Sequence, residues 1–247
     1  MGNVWTIAAR EYRKYFASPA AYLVMFVILL VLGIFFYLSI SLAIQQPLFI
    51  PGVDTITGVL PTLLMLATPA ITAHLISDER KLGTIELLLT LPVRDWELVI
   101  GKWLGSYLFV LTILLVSFIY PLILNQMIDP GIDQGPFISG YLGLALLSAA
   151  LLAIGVFVSS LFSNQIAAFV ATLGILILLW WIFGPISQSM GSTSGSELFR
   201  YLEISDHYFS NFFLGVIDLR DVVYYLSVTA TGLFFGTISI SVRRWQQ

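Results

Sequence analysis

The chain has 247 residues, 58% hydrophobic and only 10% charged, with 11 Lys and Arg against 14 Asp and Glu and a formal net charge of −3. A soluble domain carries about 25% charged residues, so an ordinary water-soluble fold is excluded and lipid is the expected solvent. Cysteine is absent, which excludes disulfides, thiolate metal sites and cysteine nucleophiles.

Residues 3–17 place Trp5, Ala9, Tyr12 and Phe16 on one helical face, with Arg10, Arg13 and Lys14 roughly opposite. That pattern suits an amphipathic helix lying in the membrane interface. Ser18 and Pro19 then restart the helix as N-cap and first helical residue, opening a first span over 19–45. The run is far longer than the 7–15-residue core of a signal peptide and is expected to be retained. Pro47, Pro51 and Gly52 break the chain before a second span over 56–77, which Pro61 and Pro69 should bend.

A charged segment, 78–94, separates this span from the third, 95–128, for which Asp95 is the expected N-cap and Trp96 and Trp103 are expected at interfacial depth. The fourth span, 138–162, carries Ala145, Ala149 and Ala153 at four-residue spacing. The fifth, 165–187, has Ala167 and Ala171, small residues that permit close helix approach. Residues 188–220 read as an external loop with a re-entrant segment, and 221–242 as the sixth span. A β-barrel would need alternation of apolar and polar residues, which runs such as "AAYLVMFVILLVLGIFFYL" lack. The expected fold is thus an all-α integral membrane protein with six transmembrane helices.

Nine of the 25 formal charges fall within "SDERKLGTIELLLTLPVRDWELVIGKW", residues 77–103. Six spans put both termini on one side, together with Arg10, Arg13, Lys14, Arg80, Lys81, Arg94, Lys102, Arg243 and Arg244. Arg200 and Arg220 lie opposite, among Asp54, Asp129, Asp133, Glu197, Glu203, Asp206, Asp218 and Asp221. Cytoplasmic loops carry the excess of Lys and Arg, so the charged segment and both termini are expected to be cytoplasmic in a cell-membrane protein.

Candidate chemistry is sparse. His74 and Asp78 are four apart and could face each other on a helix, but His207 is the other histidine and falls across the membrane, so no metal site is expected. None of the spans has an ionisable residue near its centre, which argues against ion-coupled secondary transport. Gly101–Lys102 lacks the glycine spacing and the following Ser or Thr of a phosphate-binding loop. Serine-hydrolase, HExxH and kinase motifs are missing, so the chain is expected to be non-catalytic.

Three stretches carry a resemblance: "REYRKYFASPAAY" (10–22), "ISDERKLGTIELLLTLPVRDWELVIGKW" (76–103) and "FLGVIDLRDVVYYLS" (213–227). With the six-span layout between them, they resemble the permease subunits of ABC-2 type ABC transporters, particularly the gliding-motility and NosY-like group. The resemblance implies that 78–94 holds a cytoplasmic coupling helix seated in a cleft of a separate ATPase subunit. By motif position it assigns coupling to Glu79, Arg80, Gly83, Thr84, Glu86, Leu87, Leu88 and Pro92. It implies a pathway built by two permease copies or by one copy and a homologous partner, with export as the direction. It places ATP and Mg on the ATPase chains, with no cofactor on this one. The alternative it implies is a mechanical transmitter that drives a membrane-anchored partner with an external domain and moves no substrate.

Overall fold

The computed structural model describes residues 2–46, 48–81, 94–191 and 194–244, with backbone alone for 79–81, 194, 243 and 244. Among the described residues all regular structure is helical, and six helices are long and apolar enough to cross a bilayer: Pro19–Gln45, Asp54–Asp78, Asp95–Met127, Gln134–Leu161, Gln165–Ser189 and Leu219–Val242. They are called spans 1 to 6. The N-terminal helix, Gly2–Ala17, precedes them.

Span 4 is the centre of the bundle. It is 72% buried, against 17% for span 1, 22% for span 5 and 28% for span 6, so the last three turn most of their surface outward. Span 6 packs along it most extensively, and spans 2, 3 and 5 also lie against it. Small residues on span 4 allow this: Ala149, Ala150 and Ala153 are buried, and the Gly232 Cα of span 6 rests on the Ala153 backbone. In span 5 the buried ridge is Ala168, Thr172, Leu176 and Trp180 at four-residue spacing, one position beyond the expected Ala167 and Ala171, which are partly exposed.

Proline accounts for the interruptions after Thr57 and at Phe118. Span 2 is assembled from Asp54–Thr57, Leu60–Thr72 and His74–Lys81, with Pro61 in the first turn of the middle piece and Pro69 inside it. Span 3 is interrupted at Phe118, between Asp95–Ser117 and Ile119–Met127. Pro121 has no N–H to offer the Ser117 carbonyl and its ring crowds that oxygen.

The N-terminal helix turns toward the bundle a face that the sequence did not single out. It packs along span 3 and buries Ala8, Glu11 and Tyr15, while Trp5 is exposed. The reason lies in span 3, where glycines four residues apart leave room for the backbone of a second helix. A Cβ at Gly101 would meet Ile7 Cβ at 2.8 Å, and one at Gly105 would meet Glu11 Cβ at 2.7 Å and the Ala8 carbonyl at 2.9 Å.

At the opposite end of the bundle, Ser194–Leu202, Ile204–Phe209 and a short turn at Phe212–Leu214 fold back over the helix ends. Gly215, at φ 94°, makes the final turn toward span 6, a backbone state that glycine adopts without steric cost. Hydroxyl groups bind this segment to four spans. Tyr208 donates to the Thr57 carbonyl at 3.0 Å, Ser205 to Trp180 at 3.0 Å, Ser139 to Phe212 at 2.7 Å, and Tyr225 to Ile204 at 2.9 Å.

Candidate functional site

Two stems flank the charged segment in the chain, residues 74–81 at the end of span 2 and residues 94–102 at the start of span 3. Of the sequence-predicted coupling residues, Gly83, Thr84, Glu86, Leu87, Leu88 and Pro92 lie outside the described residues. Glu79 and Arg80 are on the last turn of the His74–Lys81 helix. The candidate site is therefore built from what holds the two stems.

Span 2 is broken at Ala73, and a helix beginning at His74 has first-turn N–H groups without an intrahelical partner. Ser159 of span 4 supplies it: its Oγ accepts from the N–H groups of Ile76 and Ser77 at 3.2 and 3.3 Å and donates to the Ala73 carbonyl at 3.0 Å. Ser77 Oγ also bonds to the Ala73 carbonyl. On the other flank, Tyr15 of the N-terminal helix donates to the Ile71 carbonyl at 3.0 Å, and Lys102 of span 3 donates to the Leu75 carbonyl at 2.6 Å. The break in span 2 is thus clasped by side chains from three other elements.

Two of the residues concerned are buried charges. The side chains of Lys102 and Glu11 are 1% and 3% exposed, with Nζ 3.8 Å from Glu11 Oε2; Lys14, half exposed, approaches the same oxygen at 3.0 Å. Burial works to raise the Glu11 carboxyl, but the Lys102 ammonium and the Lys14 hydrogen bond together hold it below the usual carboxylate range. Burial pushes the Tyr15 hydroxyl far up, so it stays a donor. Its ring stacks on Phe109, with centroids 4.6 Å apart.

A cavity of about 360 Å³ opens beside this cluster, lined by Glu11, Lys14, Tyr15, His74, Asp78 and Gln165 among others. His74 sets its ring edge-on to Tyr15, with centroids 5.8 Å apart. Among the described residues no three His, Asp or Glu side chains gather as a metal site.

The second stem starts at Arg94. Glu97 Oε2 accepts from the Arg94 N–H at 2.9 Å and from Asn3 Nδ2 at 3.3 Å, tying the stem to the N-terminal helix. Asp95, the expected N-cap, is instead the first helical residue, and its carboxylate accepts from Ser241 of span 6 at 3.0 Å. Trp103 turns toward span 4. It donates to the Ala149 carbonyl at 3.0 Å, about 18 Å from the near end of span 4 at 1.5 Å per residue.

Sequence reading missed Glu11, Tyr15, Lys102 and Ser159. Lys102 sits eight residues into span 3 and passed for a solvated loop charge. The available signal was Gly101 and Gly105 flanking it, which mark the surface where another helix buries that turn.

Residues 52–217, about two-thirds of the chain, match the family described as ABC-2 family transporter protein. The chain belongs to that family. As an ABC-2 permease it is a multi-pass membrane subunit of an ABC transporter, and the clasp described above stands at the root of its longest charged segment. No curated protein matched the sequence.

Proposed function

We propose that the chain is the permease subunit of an ATP-driven exporter, in which two permeases, identical or homologous, form the pathway and separate cytoplasmic ATPase chains bind ATP and Mg. In this reading both termini and the 78–94 segment face the cytoplasm of the cell, and Glu79, Arg80, Gly83, Thr84, Glu86, Leu87, Leu88 and Pro92 engage the ATPase. The observation that carries it is the clasp: the stems of that segment are fastened to the N-terminal helix and to spans 4 and 6. A push on the segment is then delivered to the bundle centre. Nucleotide-driven closure of the ATPases would bias two arrangements of the spans.

The test replaces Glu86 with Lys. If the carboxylate is desolvated in a partner cleft, the change costs about 2–5 kcal/mol of binding, against less than about 1 kcal/mol for a solvated surface charge. The variant is expected to insert normally and to lose ATPase co-purification. Normal assembly with normal coupled turnover refutes the coupling role.

The hydroxyl bonds that tie the 194–214 segment to spans 2, 4, 5 and 6 favour a second reading, mechanical transmission to an external partner without a transported substrate. Retained ATPase coupling with no cargo dependence would separate it from export.

A further inference from the structure

The imidazole of His207 is held between two acceptors. Nδ1 lies 2.7 Å from Asp221 Oδ1, and Nε2 lies 3.0 Å from the Tyr201 carbonyl oxygen. A neutral imidazole carries a single N–H, so it can donate to one of these and must turn a lone pair toward the other. With Asp221 ionised, both contacts become hydrogen bonds once the pair holds one further proton.

Both acceptors sit at helix ends. Tyr201 is in the last turn of the Ser194–Leu202 helix, where unpaired carbonyls attract a cation, and Asp221 is in the first turn of the span 6 helix, where N–H groups attract an anion. The ring lies flat on Tyr224 at 3.7 Å, with Tyr201 and Tyr225 edge-on at 5.4 and 6.3 Å, so aromatic faces and edges fix its orientation. The side chains of His207 and Asp221 are 12% and 7% exposed.

The neighbouring charged groups have other engagements. Asp221 Oδ2 accepts from Asn211 at 2.7 Å, Asp206 takes Arg200 at 3.5 Å and Ser210 at 2.7 Å, and Glu203 Oε1 lies 3.1 Å from the Ser205 hydroxyl, which it shares with the Trp180 carbonyl. The Tyr224 and Tyr225 hydroxyls donate to the Leu202 and Ile204 carbonyls. The other side-chain bonds described between this segment and the bundle come from the Asn211 amide and from hydroxyls, which keep their protons across neutral pH. Imidazole is the side chain that changes charge between about pH 5 and 8.

We propose that His207 and Asp221 form a proton-operated latch: a proton bound by the pair fastens the 194–218 segment to the head of span 6, and its loss loosens that segment from the ends of spans 2, 4 and 5. The latch does not depend on the transport reading. If the proposed topology holds, the acidity it senses is extracytoplasmic.

The chain has two histidines and no cysteine, which makes the test direct. Ser139 is 1% exposed beneath the Phe212 carbonyl, so a thiol placed there reports opening of the segment. Ser139→Cys is made alone and together with His207→Gln in the full-length chain in lipid nanodiscs, and reaction with a water-soluble maleimide is compared at equal pH, so that the thiol's own titration cancels. At about pH 5.5 the His207 chain should react roughly tenfold more slowly than its His207→Gln counterpart, and at about pH 8 the two rates should converge. A ratio that does not change with pH overturns the latch.

Nitrogen NMR of 15N-histidine in the His74→Gln chain gives a second measurement that does not need the His207 variant to fold. Both ring nitrogens of His207 should be protonated at the acid end and one at the alkaline end, with Asp221→Asn moving the change to lower pH. One N–H throughout the range refutes the proposal.

Discussion

Replacing Lys102 with Met tests the clasp at its most buried charge. The ammonium is 1% exposed, donates to the Leu75 carbonyl at 2.6 Å and stands 3.8 Å from Glu11. Its removal leaves a carboxylate that is 3% exposed with Lys14 as its remaining ion-pair partner at 3.0 Å. Breaking a buried pair by deleting one member costs about 3–5 kcal/mol, and the surviving Lys14 contact places this case near the lower end. At about 2–4 °C per kcal/mol for a chain of this size, thermal unfolding of the purified permease in nanodiscs should fall by about 6–12 °C. Adding Glu11→Gln should restore a large part of that loss, because it removes the orphaned charge, and a double-mutant cycle reads this as coupling. Acid should have a related effect. Since the Lys102 ammonium and the Lys14 hydrogen bond outweigh burial and hold the folded-state Glu11 carboxyl below the usual carboxylate range, the stability it contributes is present above that range and is lost as pH falls through the depressed value. The parent should therefore lose more stability on strong acidification than the Glu11→Gln chain. A Lys102→Met loss under about 1 kcal/mol, or single effects that simply add, would refute the account of a desolvated, mutually dependent pair.

Three further outcomes are expected. A membrane-impermeant reagent applied to intact cells should label a cysteine placed at Ser192 and spare one placed at Arg80; the reverse pattern inverts the topology. Gly105→Leu should separate the N-terminal helix from span 3, since even a Cβ there would meet Glu11 Cβ at 2.7 Å, and should lower stability by about 1–3 kcal/mol; an unchanged unfolding temperature contradicts the close packing. Cysteines on the outward faces of spans 1 and 5, the two least buried, should crosslink to a second permease in the assembled transporter, and a purified complex with a single permease would remove the two-copy pathway.

Much of this protein was decided by its linear pattern. Uninterrupted apolar runs dictate helices in lipid, because every backbone N–H and C=O must be paired within its own segment, and so the six spans and the kinking prolines of span 2 could be read directly. The clustering of nine charges in residues 77–103 is likewise a property of the sequence alone. Which face each helix buries was not legible in the same way: in a membrane the apolar residues that face lipid and those that face protein look alike, so span 5 was read one position away from its buried ridge, and the packing of Ala8, Glu11 and Tyr15 on span 3 was not foreseen. Lys102 and Glu11 were hidden for a related reason. Near a loop, a charge is indistinguishable in sequence from a solvated one, and only the docking of the N-terminal helix on Gly101 and Gly105 removes water from both. The same is true of His207, whose two acceptors come from a helix end six residues before it and from the start of span 6, fourteen residues after it. Local pattern sets which segments cross the membrane, while the buried polar contacts arise where helices distant in sequence close on one another and leave each donor and acceptor to find its partner there.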